Sequence, residues 1–326
     1  MSISTWNRPE VVVRSVGLRI QSLSIQETPS GVRIGDPRGG GWHGDARLEI
    51  NVPRQSDLDL RTSYGDISLR GNLKGAFRAV TSAGDIEFEN VDGSCDVSTA
   101  GGDIEGSDIT GDGDLRTSGG EIRVRDVGGT LEARTAGGEI RVGKVGGSLQ
   151  ARTAGGDVTA DEVGKDADLS TSGGDVALRR AGGSVDLRTS GGDIELRESS
   201  GRARATTAGG DIVLRGVREN VRARTAGGDI VVELVEPSAE GFSDLRTQGG
   251  DVEIALPASA AVTIEATIRL RGWDDDDSHQ IRSDFPAADE HRSNSEVRAT
   301  YVLNGGGQSI RLESTDGSIR IRALKR

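Results

Sequence analysis

Eleven acidic residues each follow a glycine at near-constant spacing: Asp66, Asp85, Asp103, Glu121, Glu139, Asp157, Asp175, Asp193, Asp211, Asp229 and Asp251. A rank of carboxylates suggests hard-cation chemistry, and calcium takes roughly six to eight oxygens. Calcium-binding β-rolls use two short halves per coil, with Gly-Gly-x-Gly-x-Asp loops. Here the acid follows the glycine pair directly, and Val145-Gly146-Gly147-Ser148 at the opposite corner has no acid. Two carboxylates per loop are missing, so a calcium-binding β-roll-like module is the alternative reading and a structural ladder the first. No metal ligand set is assigned. Asp274, Asp275, Asp276 and Asp277, followed by His279, are the remaining candidates for a divalent cation, although a run of like charge is usually a solvated loop.

Other chemistry is thinly supplied. His43, His279 and His291 are the only histidines and share no ligand spacing. Cys95 is the single cysteine, so no internal disulfide is available. No nucleophile elbow, phosphate-cradling loop or dinucleotide fingerprint occurs, and no cofactor is implied. Carbohydrate-active enzymes also use parallel β-helices, but they rely on unique acids or bases and on aromatic surfaces. This chain has nine aromatic residues, and none lies between Asp96 and Leu234. A carbohydrate-active β-helix enzyme is therefore the second alternative, behind a chain with no catalytic residues.

The elements that carry the acids are periodic. Thr81, Thr99, Thr117, Thr135, Thr153, Thr171, Thr189, Thr207 and Thr225 stand 18 residues apart without a slip. A fixed period of this kind marks a stacked repeat architecture. In one unit, Leu131, Ala133 and Thr135 alternate with Glu132 and Arg134, a strand with one buried face. Ala136-Gly137-Gly138 turns a corner, and Ile140, Val142 and Val145 supply a second strand and a further apolar contact. The corner motif is Thr135, Gly137, Gly138 and Glu139 in one copy, and Thr189, Gly191, Gly192 and Asp193 in another. The glycines are expected at positive φ, where a side chain is costly.

Stacking equivalent strands about 4.8 Å apart gives parallel, in-register ladders. The expected fold is all-β, a parallel β-solenoid of about eleven 18-residue coils between Asp57 and Leu256. It would form a rod about 50 Å long. Right-handed winding follows the general preference of parallel crossovers. The aliphatic offsets of 0, 9, 11 and 14 residues also fit a left-handed hexapeptide helix poorly.

Stacked carboxylates repel by about 1 to 3 kcal/mol per neighbour. The arginine just before the threonine in seven coils, at Arg61, Arg116, Arg134, Arg152, Arg188, Arg224 and Arg246, is the first candidate to compensate. Corner N–H groups are the second. The threonines sit inward or at the corner. That leaves no flat outward array of the kind that orders ice.

The repeat fades at both ends. Residues 1–56 are expected to form an irregular N-terminal β cap, with strands near Val11–Val13, Leu18–Ile25, Val32–Ile34 and Leu48–Val52. Residues 57–256 form the solenoid, with a four-residue insertion near Pro237–Phe242. Residues 257–326 form a C-terminal β cap with an acidic, mobile loop at 272–296.

Trp6-Asn7-Arg8-Pro9-Glu10-Val11, the Gly-Asp-Ile coils, Ile281-Arg282-Ser283-Asp284-Phe285-Pro286, Gly306-Gly307-Gln308-Ser309-Ile310 and Thr315-Asp316-Gly317-Ser318-Ile319 occur in that order. Together they resemble the bacterial β-strand-repeat family called toastrack and often labelled as adhesins. The resemblance covers nearly the whole chain. It implies a right-handed β-helix-like fold, no assigned catalytic residues, and an association with the cell envelope or its stress responses.

Net charge is −12, which disfavours nucleic acid as the main partner. No run of 18 apolar residues suggests membrane insertion, and the first ten residues lack the basic start and apolar stretch of a secretory signal. The chain therefore reads as cytoplasmic as written and envelope-associated by resemblance. The functional expectation is a non-enzymatic, rod-like structural or interaction module, an adhesin or envelope scaffold. Its partner would be a protein or cell-envelope component, bound at the irregular ends or the 272–296 loop. It would be a monomer or self-associate weakly through the solenoid ends.

Overall fold

A computed structural model describes residues 1–16, 24–28, 31–35, 47–237, 241–270 and 279–324. The described residues form strands and turns and no helix. The chain divides into two compact units, Met1–Val145 and Gly146–Arg326. Together they hold about eleven coils of a parallel β-solenoid, five over 58–145 and six over 149–256.

Each coil contributes a short strand such as Leu131–Arg134 and a longer one such as Ile140–Val145. These build a short-strand sheet and a long-strand sheet. In the first unit the long strands pair in register, with Ile86 on Ile104, Ile104 on Ile122 and Ile122 on Ile140. All four isoleucines are fully buried, each worth about 1.5–3 kcal/mol by transfer from water. β-branched residues suit this position because they pack well on a pleated surface. Where one residue in a rank is large, its neighbour is small. The Phe88 ring lies where a side chain on Gly106 would stand, and Leu131 fills the space beside Gly113. Phe77 and Phe88 meet at 5.3 Å across the core.

The second unit repeats the pattern. Ile194, Ile212 and Ile230 stack on the long-strand sheet, and Leu169 and Leu187 on the short-strand sheet. The insertion is visible as a change of register, since Arg222 pairs with Asp244, 22 residues on.

The caps differ from expectation in detail. Ser2–Trp6 is a strand, inserted in parallel between Arg47–Pro53 and Ile67–Arg70, with Ile3 fully buried. Its two apolar residues, Ile3 and Trp6, stand three apart and give no strand alternation. Val12–Val16 pairs antiparallel with Arg47–Pro53. Ser24–Thr28 and Gly31–Gly35 form a hairpin that pairs with itself. Residues 18–23 of the expected Leu18–Ile25 strand lie outside the described residues.

Parallel stacking continues past Leu256. Gln308–Thr315 lies on Phe242–Arg246, and Ile319–Ala323 on Val252–Leu256, forming a further coil. Val262–Arg269 and Glu296–Leu303 extend the short-strand sheet beyond it. The expected 272–296 loop is corrected in part. Ile281–Ser283 adds a parallel strand to Ile319–Ile321, and Asp289–Arg292 pairs antiparallel with Val297–Thr300. The terminal coil leaves open sheet edges whose N–H and C=O groups draw these polar segments into pairing.

Candidate functional site

The repeated corner carries the threonine, glycine and acid ranks that the sequence marks. Its threonine is buried, with between 3% and 8% exposure from Thr81 to Thr225. The hydroxyl of Thr189 donates to the carbonyl oxygen of Gly174, one coil earlier, at 2.8 Å. It also accepts from the amide of Gly192 in its own coil at 3.3 Å. The hydroxyl of Thr135 makes the same pair of bonds, to Gly120 and from Gly138. The same two-way stitch recurs at Thr99, Thr117, Thr171, Thr207 and Thr225. The threonine hydroxyl thus satisfies backbone groups that the corner takes out of the ladder.

The expectation of positive φ at the corner glycines is overturned. Gly137, Gly138, Gly191 and Gly192 all lie outside that region. Glycine is required by stacking instead, and the two positions differ. A Cβ on Gly138 would stand 2.0 Å from the Gly120 oxygen, and on Gly192 2.2 Å from the Gly174 oxygen. On Gly137 and Gly191 the nearest atoms would be 3.4 and 3.3 Å away.

The acid that follows is bound to the next coil. Oδ1 of Asp175 accepts the amide of Asp193 at 2.8 Å, Asp193 that of Asp211, and Asp211 that of Asp229. The series ends where Asp251 accepts the amide of Ser318 at 2.7 Å. Asp85 and Asp103 do the same in the first unit. Glu121 and Glu139 pair instead with Arg123 and Arg141, two residues on. The neighbouring amide is therefore the partner that offsets charge repulsion along the aspartates.

The arginines before the threonines do not reach this ladder, which corrects the first expectation. They point outward on the short-strand sheet and pair with acids of that face. Arg116 meets Asp114 at 2.6 Å, Arg152 meets Asp168 at 3.0 Å, and Arg188 lies between Asp168 and Asp186. Arg61, Arg116, Arg134, Arg188 and Arg246 stand two residues from an acid on the same face of their own strand, whereas Arg152 and Arg224 reach an acid one coil on. The most enclosed of these acids is Asp244, whose side chain is 2% exposed. Arg224 and Arg246 each hold one of its oxygens at 2.7 Å. Burial pushes its carboxyl up, but the two guanidiniums outweigh burial and hold it below the ordinary value. For Asp114 and Asp186 burial wins over their arginines and the carboxyls are raised.

Cys95 is buried between the strands of the first unit, and burial pushes its thiol up to about 12. Asp274, Asp275, Asp276, Asp277 and His43 lie outside the described residues. Among the described residues no group of three or more His, Cys, Asp or Glu side chains could hold a metal ion. No helix among them is long and apolar enough to cross a membrane.

Two features escape a reading by period. Ser314 takes the threonine role in the terminal coil, donating to the Gly250 oxygen at 2.7 Å, and Gly317 takes the second glycine position. The Ser314-Thr315-Asp316-Gly317-Ser318 phrase hides this, because only its glycine matches the repeat. Fully buried Gln308 and Ser243 also bond one another at 3.0 Å, across 65 residues of sequence.

A family model described as Toastrack DUF4097 matches residues 41–180 and 148–322. No curated protein and no solved structure matches the chain.

Proposed function

Because the chain belongs to the Toastrack family, whose domain has no known function, we propose from its geometry that it is a non-catalytic structural and interaction module. One observation carries this reading. The threonine, second glycine and aspartate of the coils spend their hydrogen-bonding and packing capacity on the backbone of the adjacent coil. The repeat thus builds a rigid surface and leaves recognition to side chains outside the corner. We infer further an envelope-associated role of the adhesin type, which the family resemblance supports.

Purified chain should be retained on isolated bacterial envelopes, and it should leave a panel of neutral and acidic polysaccharides at full length. New reducing or unsaturated ends in that panel would overturn the non-catalytic reading. Recovery of all the chain in the unbound fraction would overturn the envelope role.

A further inference from the structure

The outward face of the short-strand sheet is a table of neutralised arginines with one exception. On the coil strands, Arg61 pairs with Asp59, Arg78 with Asp96, Arg116 with Asp114, Arg134 with Glu132, Arg152 with Asp168 and Arg188 with Asp186. Arg224 and Arg246 share Asp244. Arg204 and Arg222 lie on the same face and have no acidic side chain within ion-pair distance among the described residues. They are directly opposed on adjacent strands, Ala203–Thr206 and Val221–Arg224. Like charges in that arrangement are unfavourable. The acids at either end of their rank are engaged by other arginines. Asp186, opposite Arg204, is bonded by Arg188 through one oxygen and is acted on by Arg204 electrostatically, and Asp244, opposite Arg222, is held through both oxygens by Arg224 and Arg246.

The local balance is unlike that of the chain. Over Val185–Arg188, Ala203–Thr206, Val221–Arg224 and Phe242–Arg246, five arginines face two aspartates, a net +3 on a molecule of −12. The exposed Thr206 stands opposite Arg224 and two residues from Arg204, and adds a hydroxyl to the same face. Two forked guanidiniums carried on strands about 4.8 Å apart, with a hydroxyl beside them, present many donors on this face. A carboxylate can bridge two guanidiniums, as Asp244 does for Arg224 and Arg246, but a tetrahedral oxyanion has oxygens for both guanidiniums and the Thr206 hydroxyl as well.

We propose that Arg204 and Arg222, with Thr206, form a surface site for a tetrahedral oxyanion of the phosphate or sulfate class. The site goes beyond the scaffold reading and stands independently of it.

The test is a titration of the full chain with inorganic phosphate, and separately with inorganic sulfate, at constant ionic strength. The arginine Nε–H resonances are followed by NMR. At least one anion should shift Arg204 and Arg222 saturably and leave Arg197, which is paired with Glu195, unmoved. Arg204→Gln and Arg222→Gln should each weaken binding at least tenfold with an unchanged melting temperature, since both side chains are exposed. Uniform, unsaturable shifts of all arginines would overturn the site, as would variants that bind as tightly as the parent. So would shifts of Arg204 and Arg222 that follow protein concentration without added anion, because carboxylates of a second copy would then be the partner.

Discussion

At Gly138 an added Cβ would meet the Gly120 carbonyl oxygen at 2.0 Å, and at Gly137 the nearest atom is 3.4 Å away. The obstacle at Gly138 is backbone and cannot rotate aside, so Gly138→Ala should lower stability by more than about 2 kcal/mol. Gly137→Ala should stay within about 1 kcal/mol, as urea denaturation will show. The chain already contains part of this comparison. Ala83, Tyr64 and Asp316 occupy the first position in their coils, with Gly84, Gly65 and Gly317 at the second. Asp244 gives a second residue-scale prediction. Its folded-state pKa lies below the ordinary 3.8, so the stability it contributes is present above that value and lost as pH falls through the folded one. Asp244→Asn should cost about 1–2 kcal/mol at neutral pH, and the gap from wild type should close on acidification below 3.8. Asp114 is raised by burial, so its contribution has the opposite sense, present at low pH and lost as pH rises. Asp114→Asn should therefore cost no stability at neutral pH, as parallel melts of the two variants will test.

The aspartate ladder is an element-scale device, since each carboxylate acts on the next coil. Asparagine keeps the Oδ1 that accepts the adjacent amide and removes the like charge. A triple Asp175→Asn, Asp193→Asn, Asp211→Asn variant should gain about 1 kcal/mol at low salt, and the gain should shrink as salt screens the parent. Loss of stability at low salt, or a calcium-dependent melting temperature in the parent alone, would mean that the ladder serves a cation. The same scale explains why the threonine period was legible and its role was not. Eighteen-residue spacing is counted along the chain, but the bond from Thr189 to Gly174 exists only once two coils are stacked.

For the whole molecule, the distribution of pairing sets where it opens first. Strands such as Ile194–Ser199 pair with a coil on each side and bury a continuous core. Among the described residues the hairpin of Ser24–Thr28 and Gly31–Gly35 pairs only with itself, and it exposes Ile25 at 54% and Val32 at 41%. Isolated two-stranded hairpins are marginal in water. Native-state hydrogen exchange should therefore release the amides of residues 24–28 and 31–35 well before those of residues 194–199. Equal protection would mean that the hairpin is covered in solution.

The sequence by itself determined the all-β coils, their period, the inward aliphatic ranks and the corners. Alternation and glycine spacing are local and are repeated often enough to outweigh any single exception. Tertiary structure decided the rest. It alone placed Ser2–Trp6 between two later strands and put Gln308–Ala323 on the stack as a further coil. It assigned the arginines before the threonines to the sheet-face acids and the corner aspartates to amides. It also left Arg204 and Arg222 side by side, with neither in an ion pair among the described residues. The physical reason is common to all of these: each depends on which atoms of a neighbouring coil stand a few ångströms away across the stack, a distance that sequence separation does not encode.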